Sequence, residues 1–94
     1  METLAEYSDL LQPEQMRFLE RLDVDCGNEA KAARRLKVPL YLPIWWREHD
    51  PVYKEAYELV IDDVKERLIM KIRDGSASAT ITYLKTFCRH RGYF

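Results

Sequence analysis

Ninety-four residues is the length of one small domain, enough for a modest core and too short for an enzyme cleft with walls of its own. Hydrophobic residues make up 47% of the chain and charged residues 33%, a balance too rich in core formers for a disordered tail. The net charge of -1 sets it apart from the strongly basic domains that grip nucleic acid on charge alone.

That small net charge hides a polarised chain. Residues 1–28 carry seven acids against two bases, a balance of -5, while residues 29–50 carry five bases against three acids, a balance of +2. Residues 51–75 come to -1, and residues 76–94 to +3 from Lys85, Arg89 and Arg91. Cys26 and Cys88 follow no metal or redox spacing, which predicts reduced thiols. No basic-then-apolar signal pattern opens the chain and no apolar run approaches the ~20 residues that span a bilayer, so a soluble cytoplasmic protein without membrane contact is expected.

Taken in order, residues 2–11 predict a short helix anchored by Leu4, Tyr7 and Leu11. Pro13 suits a first helical turn, and Met16, Phe18, Leu19 and Leu22 keep a helical spacing towards Gly27, a natural stop. Asn28 can cap a second helix over residues 29–36, whose Ala30, Ala32 and Ala33 allow close packing, and Val38-Pro39 ends it. Pro43 would cost ~3 kcal/mol inside a helix begun at Pro39, so the third helix is predicted to start at Pro43 and run to His49. Asp50-Pro51 caps the longest helix, predicted over residues 51–74, about 36 Å at ~1.5 Å per residue. Gly75 stops it, and Ser76 or Ser78 can cap a last helix carrying Ile81, Leu84 and Phe87 or Cys88. With no strand pattern, the predicted fold is all-α.

Little here resembles catalytic machinery. His49 and His90 are the only histidines, no glycine-rich phosphate loop exists, and Asp62 and Asp63 point to different faces of a helix. We expect no enzyme activity, no cofactor and no metal.

The stretch from Leu11 to Pro51 says more. A helix ending C-G-N, then EAKAARRLKV, a tight turn and WWREHDP is a helix-turn-helix layout in which Val38 plugs the turn and Trp46 closes the core. An ordinary three-helix bundle with short connections fits the same spacing. The run LQPEQMRFLERLDVDCGNEAKAARRLKV, with WWREHDPVYKEAYELVIDDVKERL and the tail IRDGSASATITYLKTFCRHRGY, resembles the helix-turn-helix of bacteriophage terminase small subunits. That resemblance implies a three-helix helix-turn-helix core over residues 1–50 and, over residues 51–94, a long helix plus a short C-terminal helix for packing and oligomerisation, all in one compact domain. It also implies a phage or prophage packaging component in the bacterial cytoplasm. Such a subunit is non-catalytic, recognises double-stranded viral DNA, forms a homo-oligomer and serves the large terminase subunit.

The chain departs from the family pattern at Lys37, where relatives usually have glycine, and at Pro39-Leu40-Tyr41-Leu42, where they have a polar run. Reading base edges needs donors such as Arg, Asn or Gln, and this front has almost none. Candidate DNA contacts are therefore to phosphate, from Lys31, Arg34, Arg35 and Lys37 on the second helix with Tyr41 and Arg47 on the third. Adjacent helical residues diverge by ~100°, so Trp46 is expected inside and Trp45 outside. Leu40, Leu42 and Trp45 then form a candidate protein-contact patch. Along the long helix Tyr53, Tyr57, Val60, Ile61, Val64 and Leu68 make a stripe wider than one neighbour needs, the expected assembly surface. The basic end, residues 89–94, is a further candidate for phosphate. Two other functions remain open: a helix-turn-helix-derived protein-interaction module and a small prophage transcription regulator.

Overall fold

Most of the helices open on a proline or a capping side chain, and those local signals set the architecture. The computed structural model describes residues 4–88. It is all-α, with no strand among the described residues. Helix α1 spans Pro13–Val24, with Pro13 where a missing N–H costs nothing. Gln15, three residues in, accepts from the Gln12 N–H at 2.9 Å. The chain then turns through two left-handed residues, Cys26 (φ 56°) and Gly27 (φ 83°). Helix α2, Glu29–Leu36, is capped by Asn28, whose side chain accepts from the Lys31 N–H at 3.1 Å. It ends at Lys37 with φ 56°, the left-handed conformation that glycine adopts most easily.

Helix α3 runs Tyr41–His49 and so begins two residues before the predicted start. Pro43 is its third residue, and the N–H groups of a first turn have no acceptor within the helix, so proline there forfeits no bond. Asp50 caps α4, Pro51–Arg73, accepting from the Val52 and Tyr53 N–H groups at 3.1 and 3.2 Å. Its other carboxylate oxygen accepts from the Gln15 side-chain amide at 3.1 Å, which ties the start of α1 to the start of α4. Gly75 (φ 90°) ends α4. Of the two candidate caps, Ser76 is the one used, accepting from the Ala79 N–H at 3.1 Å. Helix α5, Ala77–Tyr83, continues as a wider π turn over Leu84–Cys88. At the front, the short helix reduces to a 3-10 turn, Leu4–Tyr7, with Tyr7 and Leu11 buried and Leu4 partly so.

Helix α4 is the centre. It packs against α1, α3, α5 and the N-terminal turn, while α2 packs on α1. Phe18, Leu19 and Leu22 of α1, Trp46 of α3 and Ala79 of α5 meet Tyr53, Ala56, Val60, Ile61, Val64 and Leu68 of α4 in one core. An aromatic chain runs through it, from Phe18 edge-on to Trp46 (6.3 Å between centroids) to Tyr53 (5.4 Å) to Tyr57 (6.4 Å).

This corrects the assembly surface expected on the long helix. Tyr53, Val60, Ile61, Val64 and Leu68 are buried within the chain itself, and Tyr57 is partly buried. The stripe is broad because three helices and a turn converge on it. Among the described residues no helix is long and apolar enough to cross a membrane.

The two glycine turns differ in their surroundings. A Cβ on Gly27 would lie 3.0 Å from Phe87 Cζ and 3.3 Å from Ile61 Cδ1, whereas one on Gly75 meets nothing within 4 Å. Both positions carry the left-handed penalty of ~1–2 kcal/mol. Gly27→Ala should therefore cost about 1 kcal/mol more than Gly75→Ala in urea denaturation. Equal losses would show that Phe87 does not press on this turn.

Candidate nucleic-acid interface

Alanines place the cations. Ala32 and Ala33 are buried, which brings the α2 backbone close to α1 and turns Lys31, Arg34 and Arg35, spaced i, i+3 and i+4, towards solvent. Lys31, Arg34 and Lys37 are exposed, and their side chains have no hydrogen-bond or ion-pair partner among the described residues. Arg35 is partly engaged. Its Nε lies 3.5 Å from Asp25 Oδ1, and the buried Asp25 is also held by Arg21 at 3.0 Å. The Arg35 side chain nevertheless stays 52% exposed.

Arg47 is placed differently from the other candidate cations. Its Nη1 donates to Glu29 Oε1 at 2.6 Å and to the Tyr57 hydroxyl at 3.1 Å, and its guanidinium lies 5.1 Å from the centre of the Tyr57 ring. Burial works against its charge, but the hydrogen bond and charge of Glu29 outweigh that and raise its pKa. Burial, and after it the charge of Glu29, raises the pKa of the Tyr53 and Tyr57 phenols, so both stay neutral at physiological pH. Glu29 Oε2 and the Tyr53 hydroxyl are buried with no hydrogen-bond partner among the described residues. Arg47 is thus an internal tie joining α2, α3 and α4, and the expectation that it reaches a phosphate is corrected. The cause is a carboxylate 18 positions earlier in the sequence, which no local spacing announces.

The outward face of α3 is aromatic. Tyr41 is 71% exposed and Trp45, one turn later, 52%, while Trp46 is buried in the core. The Trp45 ring stacks on His49 at 4.5 Å and 15°, and His49 Nδ1 sits 3.0 Å from the Trp45 carbonyl oxygen. Leu40 is exposed beside them, but Leu42 turns inward and packs against the core. Leu42 therefore leaves the proposed patch.

A shallow groove of about 390 Å³ lined by Asn28, Ala30, Ala33, Arg34, Val38 and Leu40 runs from Arg34 of α2 to Leu40, the residue before α3. Sequence spacing did not reveal this continuity, because it depends on how the turn at residues 37–40 folds back. A larger cleft of about 500 Å³ opens between the start of α2, Leu40 just before α3, Ile44 of α3, Tyr57, Ile61 and Lys65 of α4, and residues 85–87. Lys65 lies over the Phe87 ring there. The basic end, residues 89–94, lies outside the described residues. Among those described, no group of three or more His, Cys, Asp or Glu could hold a metal ion.

Comparison with protein-family models, curated proteins and solved structures finds no match.

The division between tied and free cations can be measured. With the Arg47 side chain 29% exposed and that of Glu29 20%, Arg47→Ala should cost about 2 kcal/mol, less than the ~3–5 kcal/mol of breaking a fully buried pair. Lys31→Ala should stay within ~0.5 kcal/mol, as surface changes do. Urea denaturation of both variants decides the point, and an unchanged midpoint for Arg47→Ala would return Arg47 to the surface cations.

Proposed function

We propose that this chain is a non-catalytic DNA-binding subunit of the terminase small-subunit kind, which holds double-stranded viral DNA through its phosphates and delivers it to the large terminase subunit in the host cytoplasm. One observation carries the DNA part. Lys31, Arg34 and Lys37 lie exposed along α2 and its end with no side-chain partner among the described residues, and Arg35 adds a half-committed fourth cation. The packaging part rests on the likeness of residues 11–93 to that family.

Three or four cations make a weak grip, and repetition in an oligomer multiplies it without new contacts. The stripe of α4 is not available for assembly. In this reading assembly falls to the large apolar side chains left exposed on α4, α5 and the π turn that follows, namely Ile69, Met70, Ile81 and Leu84. A transcription regulator fits less well, because Tyr41 and Trp45 occupy the face of α3 where base reading needs Arg, Asn or Gln. The exposure of Leu40, Tyr41 and Trp45 does favour a second reading, in which this face docks a protein.

Binding to a short duplex by fluorescence anisotropy, at about 50 to 200 mM salt, tests the proposal. Each phosphate neutralised contributes about -0.9 to the slope of log affinity on log salt, so three contacts should give about -3 per chain. Changing Lys31, Arg34 and Lys37 together to Ala should remove most of that slope and leave the melting temperature in place. No binding at low salt, or an unchanged slope in the variant, would defeat the DNA reading.

A further inference from the structure

We infer that Tyr41 and Trp45 form a stacking platform for unpaired nucleobases, with the α2 cations holding the adjoining phosphates, so that this face prefers single-stranded or locally opened DNA over a fully paired duplex. This inference rests on the nucleic-acid reading above and names the substrate form that the same face takes best.

The α3 face offers flat π surfaces in place of edge-reading donors. Tyr41 and Trp45 lie one turn apart and are the two most exposed aromatic side chains among the described residues. Trp45 is held in place from one side by the stacked His49 ring and remains 52% exposed. Such a ring is already oriented, so little freedom is lost when a base lies on it. One helical turn rises about 5.4 Å, and a base between two rings needs about 7 Å, twice the ~3.4 Å spacing of stacked bases. The exposed Tyr41 ring can supply the difference by turning outward.

Charge selects a nucleic acid over an apolar partner. Arg34 and Leu40 line one groove, and Tyr41 follows Leu40 in the chain, so the aromatic pair begins at the residue next to the one that shares a groove with the unpartnered Arg34. A base stacked on Trp45 brings a phosphate with every nucleotide to that side. In a paired duplex the base faces are hidden within the stack, and only the phosphate contacts remain. Stacking on aromatic side chains is tolerant of sequence because every base has a π face, consistent with a helix that lacks base-edge donors.

The test compares a labelled 12-nucleotide oligo-dT with a 12-base-pair duplex at low salt, on the wild-type chain and on Trp45→Ala, Tyr41→Ala and Trp45→Phe. The single strand should bind about tenfold more tightly than the duplex. Trp45→Ala and Tyr41→Ala should each weaken single-strand binding about tenfold and leave duplex binding within about twofold, while Trp45→Phe keeps most of the affinity. Thermal melts should be unchanged in all three, since neither side chain is in the core. Equal affinity for the two forms, or single-strand binding that survives both alanine changes, overturns the platform and leaves the phosphate grip standing. Failure to bind either nucleic acid overturns both readings and turns the face over to a protein partner.

Discussion

The apolar stripe of α4 is the constraint from which the other placements follow. A helix of 23 residues that exposes Tyr53, Ala56, Val60, Ile61, Val64 and Leu68 on one side must have that side covered, and in so short a chain the cover has to come from α1, α3, α5 and the N-terminal turn together. Each of those elements spends its apolar face on α4. What they leave over is therefore informative: the cations of α2, which packs on α1 instead, and the aromatic outer face of α3, whose inner face is already occupied by Trp46.

Polar contacts then fix how those leftover faces sit relative to each other. Glu29 opens α2, Arg47 lies on α3 and Tyr57 on α4, and the Arg47 guanidinium holds all three. A largely buried ion pair adds little net stability compared with a well-packed apolar pair, and in some proteins its effect is to select a single arrangement. Here the arrangement fixed is that of α3 against the start of α2, and Leu40, just ahead of α3, shares a groove with Arg34. The Gln15–Asp50 contact does the same between the starts of α1 and α4. The same Asp50 that caps α4 thereby also locates it.

Much of the fold was legible in the sequence where the signals are local. Asn28, the Asp50-Pro51 pair, Ser76, Gly27 and Gly75 act at the turns as their chemistry requires, and the ~100° between neighbouring helical residues separated Trp45 from Trp46. Lys37 ends α2 in the left-handed conformation, which its residue type does not announce. The misses came from features that local patterns do not encode. Pro43 is expected at the first helical position because a helix begun at Pro39 would make it interior, but a start at Tyr41 also keeps it within the first turn. Arg47 read as a free cation because its partner lies 18 positions away. The breadth of the α4 stripe could not say whether its cover came from the same chain or another, since burial has the same periodicity in both cases.

The proposed nucleic-acid surface takes in the outer faces of α2 and α3 and leaves the apolar stripe of α4 inside. Backbone and indole N–H resonances of the labelled protein, followed during titration with a short oligonucleotide, test it most directly. Shifts should be confined to residues 31–37 and 40–45, with the Trp45 indole moving and the Trp46 indole, buried against Phe18 and Tyr53, staying in place. Shifts centred on the exposed side of α4, or a Trp46 indole that moves while Trp45 does not, would contradict it.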